Sequence, residues 1–241
     1  MQCVILAGGL ATRLRPITNK IPKSMIKIKD KSFLEYQIEL LRRNDISEII
    51  LCVGYLGEQI EEYFVNGKKL GVNIKYSYEN EQLLGTGGAI RNALDLLNNY
   101  FFVLYGDSYL NVNYKEIYSY FLKNNYSALL VIYKNDNKWD RSNVVFKDGI
   151  VEIYDKDNYI PEMEFIDYGL SILSKRVLKR IPKNINYDLA NLYKGLSVEK
   201  KLAGYEVLGR FYEIGSKNGL KEFENYIKEK GNNHDYHQNT F

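Results

Sequence analysis

Gln2-Cys3-Val4-Ile5-Leu6-Ala7-Gly8-Gly9-Leu10-Ala11-Thr12-Arg13-Leu14 opens the chain with an apolar run that stops at two glycines and is followed by a fixed positive charge. Val4-Ile5-Leu6 reads as a short buried strand ended by glycine. Glu48-Ile49-Ile50-Leu51-Cys52-Val53 reads as a second, and between them Phe33 to Leu41 carries apolar residues at helical spacing. The unit repeats with a helix over 57–64, a strand over 73–78, a helix over 86–97 and the strand Phe101-Phe102-Val103-Leu104-Tyr105. This alternation predicts an α/β fold, a Rossmann-like three-layer sandwich whose mainly parallel mixed sheet has helices on both faces.

Beyond Asp107 the texture becomes α+β. A helix over 114–123 is followed by strand-like runs at 128–133, 143–146, 150–154 and 168–173. Asp188 is the expected N-cap of a further helix, 204–207 reads as a strand, and 218–227 as the last helix. Residues 231–241 have no periodicity and are expected to fray as a disordered tail. The chain thus reads as a single domain over 1–230, with a change of texture between 1–110 and 111–230.

At 241 residues the chain can build one full core, and its 45% apolar and 26% charged residues are ordinary for a globular protein. No apolar stretch approaches the roughly 18 to 20 residues of a membrane span. The chain starts directly on its first strand without a basic leader, which predicts a cytoplasmic protein. Cys3 and Cys52 sit in strand-like runs without metal-ligand spacing and read as buried small hydrophobes. The net charge of +3 is dispersed, which argues against a nucleic-acid footprint and makes any anion site local. The 22 tyrosines follow a general Asn, Lys and Ile bias and carry no functional weight.

The loop after the first strand can bring backbone N–H groups of Leu6, Ala7, Gly8 and Gly9 against phosphate oxygens, because glycine removes the Cβ that would hold a ligand away. Arg13 would neutralise a leaving pyrophosphate. The loop is neither a Walker loop nor a dinucleotide motif, since the Lys-Ser/Thr ending and the third glycine are absent. Further on, Pro22 fixes the backbone just before Lys23 and limits where that ammonium can point. Arg15 and Lys20 read as surface charges.

Leu6-Ala7-Gly8-Gly9-x-x-Thr12-Arg13-Leu14-x-Pro16-x-Thr18, followed by Pro22-Lys23, resembles the N-terminal signature of the sugar-1-phosphate nucleotidyltransferases. The resemblance runs over nearly all of 1–229, is strongest before residue 110, and implies a nucleotide-binding half over 1–110 and a sugar-phosphate-binding half over 111–230. It implies a glycosyltransferase-A-like nucleotidyltransferase fold, Mg2+ as cofactor, and a nucleoside triphosphate and a sugar 1-phosphate as ligands. It also gives Lys23 a role at the α-phosphate. Thr12 falls within the same signature and is expected at the nucleotide.

Glu81-Gln82-Leu83-Leu84-Gly85-Thr86-Gly87-Gly88-Ala89 is similar to the family's base segment, with Gln82, Gly85 and Thr86 expected to read the base. Tyr105-Gly106-Asp107-Ser108 puts a carboxylate at the end of a central strand, where open α/β sheets hold ligands. Asp107 is therefore the first candidate Mg2+ ligand, with Gly106 beside the nucleotide. The second is Glu213 in Phe211-Tyr212-Glu213-Ile214-Gly215, where the family carries Asp. On the acceptor side the resemblance assigns Lys156 to the sugar phosphate and Asp155 to a hydroxyl, with Asp167 and Gly169 lining the pocket. Trp139 is either a sugar-facing wall or packing.

Catalysis would rest on Arg13, Lys23 and Asp107, since no cysteine or histidine falls in a motif and the attacking phosphate is already anionic. Gly-Thr-Gly-Gly-Ala most resembles the segment in heptose or mannose 1-phosphate guanylyltransferases, which favours GTP. A cytidylyltransferase acting on a non-sugar phosphate or phosphonate stays open, and so does a catalytically silent nucleotide-binding regulatory subunit. The family also allows a homo-oligomer.

Overall fold

The computed structural model describes residues 1–10, 12–79, 83–135 and 137–236. In chain order the elements are β1 Gln2–Leu6, β2 Lys27–Ile28, β3 Lys31–Ser32, α1 Phe33–Arg43, β4 Glu48–Val53, α2 Gly57–Phe64, β5 Asn73–Tyr78 and α3 Gly85–Asn92. They continue as β6 Tyr100–Tyr105, β7 Ser108–Tyr109, α4 Tyr114–Lys123, β8 Ala128–Lys134, β9 Val144–Lys147, β10 Ile150–Tyr154 and β11 Phe165–Ser174. Then come α5 Leu189–Val198, β12 Ala203–Val207, β13 Tyr212–Glu213 and α6 Lys217–Tyr236.

One nine-stranded sheet has the order β5-β4-β1-β6-β11-β8-β12-β10-β9. β5, β4, β1 and β6 are mutually parallel, as the strand-helix alternation of the first half requires. β11 then enters antiparallel between β6 and β8, and β12 pairs parallel with β8. The sheet is therefore mixed, with its parallel part concentrated in residues 1–110.

Side chains alternate between two cores, as the period of a strand dictates. Cys3 and Ile5 of β1 face the side covered by α1, α2, α4 and α6, together with Phe33, Ile60, Phe121 and Phe223. Val4 faces the other side with Ala89 and Ile90 of α3 and Leu192 and Leu196 of α5. This gives the expected three layers. It also places the two buried cysteines on opposite faces of the sheet, Cys3 in one core and Cys52 in the other, and both are free thiols.

Ser32 caps α1 by accepting from the Glu35 N–H at 3.3 Å, and Asp188 caps α5 as expected, accepting from the Ala190 N–H at 2.9 Å. The third helix is shorter than its pattern suggested: α3 ends at Asn92 and a 3-10 turn, Leu94–Leu96, completes the segment. At the other end of the chain α6 continues past Gly231 to Tyr236, so the expected stop at 227 is overrun. Residues 237–241 of the expected tail lie outside the described residues. No helix among the described residues is long and apolar enough to cross a membrane.

Candidate active site

β1 and β6 run side by side with Leu6 opposite Tyr105, so their two following loops leave the sheet together. The Gly106 N–H donates to the Leu6 carbonyl at 3.0 Å, and a Cβ on Gly106 would sit 2.5 Å from that same oxygen. Only glycine allows this approach, which delivers Asp107 to the mouth of the glycine loop. Gln37, buried in α1, donates its Nε2 to the Tyr105 carbonyl at 2.9 Å and the Ser108 carbonyl at 2.7 Å, gripping both ends of the turn that carries Asp107.

β7 pairs with β13, Ser108 opposite Glu213, and the Ile214 N–H donates to the Asp107 carbonyl at 2.9 Å. Two segments separated by more than a hundred residues in sequence thus converge. A single point, where a Cβ on Gly215 would lie, is 2.7 Å from Glu213 Oε2, 3.2 Å from Arg13 Nη2 and 3.5 Å from Asp107 Oδ2. The Glu213 carboxylate also takes the Ser216 hydroxyl at 2.7 Å and the Gly215 N–H at the start of α6. Lys23 enters from a 3-10 turn, Lys23–Met25, with Pro22 at its N-cap, and its Nζ donates to Asp107 Oδ2 at 2.6 Å.

Two cavities meet here. The first, of about 320 Å3, is lined by Leu6, Ala7, Gly8, Gly9, Lys23, Gly85, Thr86 and Gly106, expected at the nucleotide, and by Asp107, expected at the metal. Cys52 contributes to its wall, and burial pushes that thiol up to about 12, which keeps it protonated and unreactive. The second cavity, of about 610 Å3, contains Arg13, Trp139, Arg141, Asn143, Lys156, Asp167, Gly169, Arg210 and Glu213 in its lining. Tyr105 and Asp107 belong to both.

Several expected roles change once partners are visible. The Thr86 hydroxyl donates to Asp188 Oδ1 at 2.9 Å and accepts from the Leu189 N–H at 2.8 Å, so it joins α3 to α5, its donor is used, and only one acceptor lone pair is left toward the first cavity. The neighbouring glycines serve the same joint. Gly87 and Gly88 N–H groups both donate to the Tyr187 carbonyl, and a Cβ on Gly85, whose φ is +69°, would meet that oxygen at 2.9 Å. Arg13 lies in the second cavity with Glu213, away from the first cavity's glycine loop. Thr12 opens a 3-10 turn and lines neither cavity, while Gln82 lies outside the described residues.

On the acceptor side Asp155 departs most from expectation. It accepts from Lys194 Nζ at 2.7 Å and from the Asp157 and Asn158 N–H groups, forming a turn outside both cavities. The Lys194 ammonium, followed by the Asn158 N–H, holds its carboxyl well below the usual carboxylate range. A hydroxyl-binding role for Asp155 is thereby corrected to a structural one. Asp167 does line the second cavity, but both oxygens are engaged: Tyr154 donates to Oδ2 at 2.9 Å and the Gly169 N–H to Oδ1 at 2.9 Å. Its remaining effect is on Lys156, whose Nζ is 3.8 Å from Oδ2 and 5.5 Å from the centre of the Tyr105 ring.

Trp139 is part of the second cavity's wall, with the Arg210 guanidinium 4.1 Å from its ring centre. Arg210 is further fixed by Tyr212, 4.6 Å away, and by Glu222, whose Oε2 lies 2.6 Å from Nη2. Gln37, Glu79, Arg141, Asn143 and Arg210 were not singled out from sequence. Gln37 looks like one more inward position of an amphipathic helix, and an arginine near the chain's end has no local signal of facing a cavity. Glu79 stands one residue beyond β5, where the strand pattern has already stopped.

The profile of the family described as Nucleotidyl transferase matches residues 2–193. D-glycero-alpha-D-manno-heptose 1-phosphate guanylyltransferase of Campylobacter jejuni is 39% identical over 180 residues, covering 73% of this chain and 77% of that protein. The protein of the same name from Aneurinibacillus thermoaerophilus is 30% identical over 235 residues, 94% of this chain and 100% of its own length. Among solved structures, HddC from Yersinia pseudotuberculosis complexed with GMP-PN superimposes with a TM-score of 0.77 at 26% identity, over 94% of this chain and 99% of that one. The glycine loop, Lys23 and the Asp107 turn all fall within the matched residues, and the chain belongs to the nucleotidyl transferase family.

Proposed function

We propose that this chain transfers a guanylyl group from GTP to a heptose-type or mannose-type sugar 1-phosphate, forming a GDP-sugar and pyrophosphate. The observation that carries the reading is the shared wall. Tyr105 and Asp107 line both cavities, so two ligands would meet at one carboxylate, as a direct transfer between them requires. The names of the similar proteins supply the base and the acceptor class.

The chemistry needs alignment and charge neutralisation. An oxygen of the acceptor phosphate forms a bond to the α-phosphorus while the bond to the α,β-bridging oxygen breaks in line, and pyrophosphate leaves. No protein nucleophile or proton relay is required. Lys156, backed by the buried Asp167, would hold the acceptor phosphate on one side of Asp107. Lys23 would meet the α-phosphate on the other, and Arg13 lies beside Glu213 to neutralise phosphate charge.

Asp107 and Glu213 fit Mg2+ by donor chemistry, since each offers hard carboxylate oxygens toward one region, with the Arg13 guanidinium beside them. No cluster of three or more His, Cys, Asp or Glu exists among the described residues, and Mg2+ needs only one or two carboxylates when phosphates and waters complete its shell. Bound there, the ion would neutralise charge building at the α-phosphate.

Incubating the protein with Mg2+, each of GTP, CTP, UTP and ATP, and mannose 1-phosphate, a heptose 1-phosphate or choline phosphate, with pyrophosphate readout, tests the reading. GTP with a sugar phosphate should give product. CTP with choline phosphate as the sole productive pair would replace it with the cytidylyl alternative, and no product in any pair would favour a binding-only protein.

A further inference from the structure

We propose that Tyr154 is a positioning residue for the acceptor phosphate: its hydroxyl occupies the buried Asp167 carboxylate and so keeps Lys156 from being captured in an ion pair. This rests on the transfer reading above, in which Lys156 holds that phosphate. Tyr154 ends β10 and is 1% exposed. Its N–H donates to Ser197 Oγ of α5 at 3.2 Å, and its ring meets Tyr193 edge-on with centres 5.4 Å apart. Asp167 sits in β11 where the register against β8 shifts, an irregularity of the kind that re-aims a side chain, and its N–H donates to Asn143 Oδ1 at 3.0 Å. The phenol and the carboxylate are thus fixed by the frame. Lys156 is the exposed member of the three, 39% against 4% for the Asp167 side chain.

Lys156 and Asp167 carry opposite charges, yet their closest approach is 3.8 Å, too long for a hydrogen bond. The other lysine at the junction of the cavities does pair, since Lys23 reaches Asp107 Oδ2 at 2.6 Å. The two carboxylates differ in what they already hold. Among the described residues Asp107 Oδ2 has no donor but Lys23, whereas Asp167 Oδ2, the oxygen that Lys156 approaches, takes the Tyr154 hydroxyl at 2.9 Å. Its Oδ1 takes the Gly169 N–H at 2.9 Å. Burial, followed by the Asp167 charge, holds the Tyr154 phenol well above its usual range, so the hydroxyl stays a donor at neutral pH.

An ammonium kept outside hydrogen-bond range retains three donors. The faces of Tyr105 and Tyr154, with ring centres 5.5 and 5.9 Å from Nζ, attract its charge without offering it an acceptor oxygen. A phosphate brings several such oxygens and can take those donors. Deleting the Tyr154 hydroxyl would leave Asp167 Oδ2 buried and short of a donor, and the Lys156 ammonium is the replacement in reach. The lysine would then be spent on the protein before the substrate arrives.

The test measures kcat, acceptor KM and nucleotide KM, with the sugar 1-phosphate active in the wild type, for the wild type, Tyr154→Phe, Asp167→Asn and the double variant, with a thermal melt of each. Tyr154→Phe keeps the ring and removes only the hydroxyl. It should raise acceptor KM roughly tenfold or more, the scale of a hydrogen bond to a charged group, and leave nucleotide KM within about twofold. The double variant should return acceptor KM to the value of Asp167→Asn alone, because an uncharged amide does not capture an ammonium. A role in packing alone predicts the opposite, a further loss in the double variant. An unchanged acceptor KM in folded Tyr154→Phe, or a double variant no better than Tyr154→Phe, would overturn the assignment. If Tyr154→Phe does not fold, the double variant, which leaves no buried charge unpaired, carries the test against Asp167→Asn: equal acceptor KM values support the assignment and a higher value in the double variant overturns it. No pyrophosphate release by the wild type with any sugar 1-phosphate would overturn the transfer reading, and this proposal with it.

Discussion

Lys23 Nζ lies 2.6 Å from Asp107 Oδ2, so the cation expected at the α-phosphate and the carboxylate expected at the metal neutralise each other. The pair spans 84 residues of sequence and is only partly exposed, 20% on the lysine and 26% on the aspartate. Each side chain holds the other in place at the junction of the two cavities.

Removing Lys23 should therefore separate catalysis from folding. Lys23→Ala is expected to lower kcat by about 100-fold or more, the scale of losing one preorganised charge at a transition state, with little change in melting temperature. Steady-state pyrophosphate release and a thermal melt together measure this. Turnover at the wild-type level would remove Lys23 from the chemistry.

Gln37 should behave as a positioning residue. Gln37→Ala leaves the Tyr105 and Ser108 carbonyls without their shared donor, at a cost of about 1 to 3 kcal/mol for a buried unsatisfied group. The Mg2+ concentration for half-maximal rate should rise as the Asp107 turn loosens. A melt that shifts down while the Mg2+ titration stays put would mean that Gln37 stabilises the fold without orienting Asp107.

Glu213 joins two functions that separate by substitution. Its carboxylate accepts from the Gly215 N–H and from the hydroxyl of Ser216, which in turn caps α6 by accepting from the Gly219 N–H, and it converges with Asp107. Glu213→Gln keeps one acceptor for the cap but lowers the charge offered to a cation. It should raise the Mg2+ requirement severalfold with a small stability change, and EDTA should abolish turnover in the wild type without lowering its melting temperature. Full activity in EDTA would exclude a divalent ion.

Arg210 should act on one substrate only. It stacks on Trp139 and Tyr212 and lines the second cavity, not the first. Arg210→Ala is expected to raise KM for the acceptor about tenfold, the effect of losing one charged contact or its ordered wall. KM for GTP should remain within a factor of two or so. Equal increases in both constants would show a general distortion of the site.

The strand, glycine loop and Pro22-Lys23 were legible because each is local: strand periodicity, the missing Cβ and proline's fixed φ act within a few residues. The parallel half of the sheet followed from the alternation of strands and helices. The insertion of β11 between β6 and β8 had no such marker, since its neighbours are chosen by pairing across 66 to 74 residues of chain to β6 and 31 to 45 to β8. Likewise Asp155 has the right chemistry for a hydroxyl, and only the approach of Lys194 from α5 diverts it into a turn.

By itself the sequence determined which chemical groups the chain can present and the class of transfer they serve, because glycine, lysine and aspartate keep their properties wherever they fold. Tertiary structure decided which of those groups remain free. Thr86 and Asp167 are engaged inside the protein by Asp188, Leu189, Tyr154 and Gly169, while Lys156 and Arg210 are left facing the second cavity. Hydrogen-bonding capacity is finite, and a partner more than a hundred positions away can use it up without any sign in the local sequence.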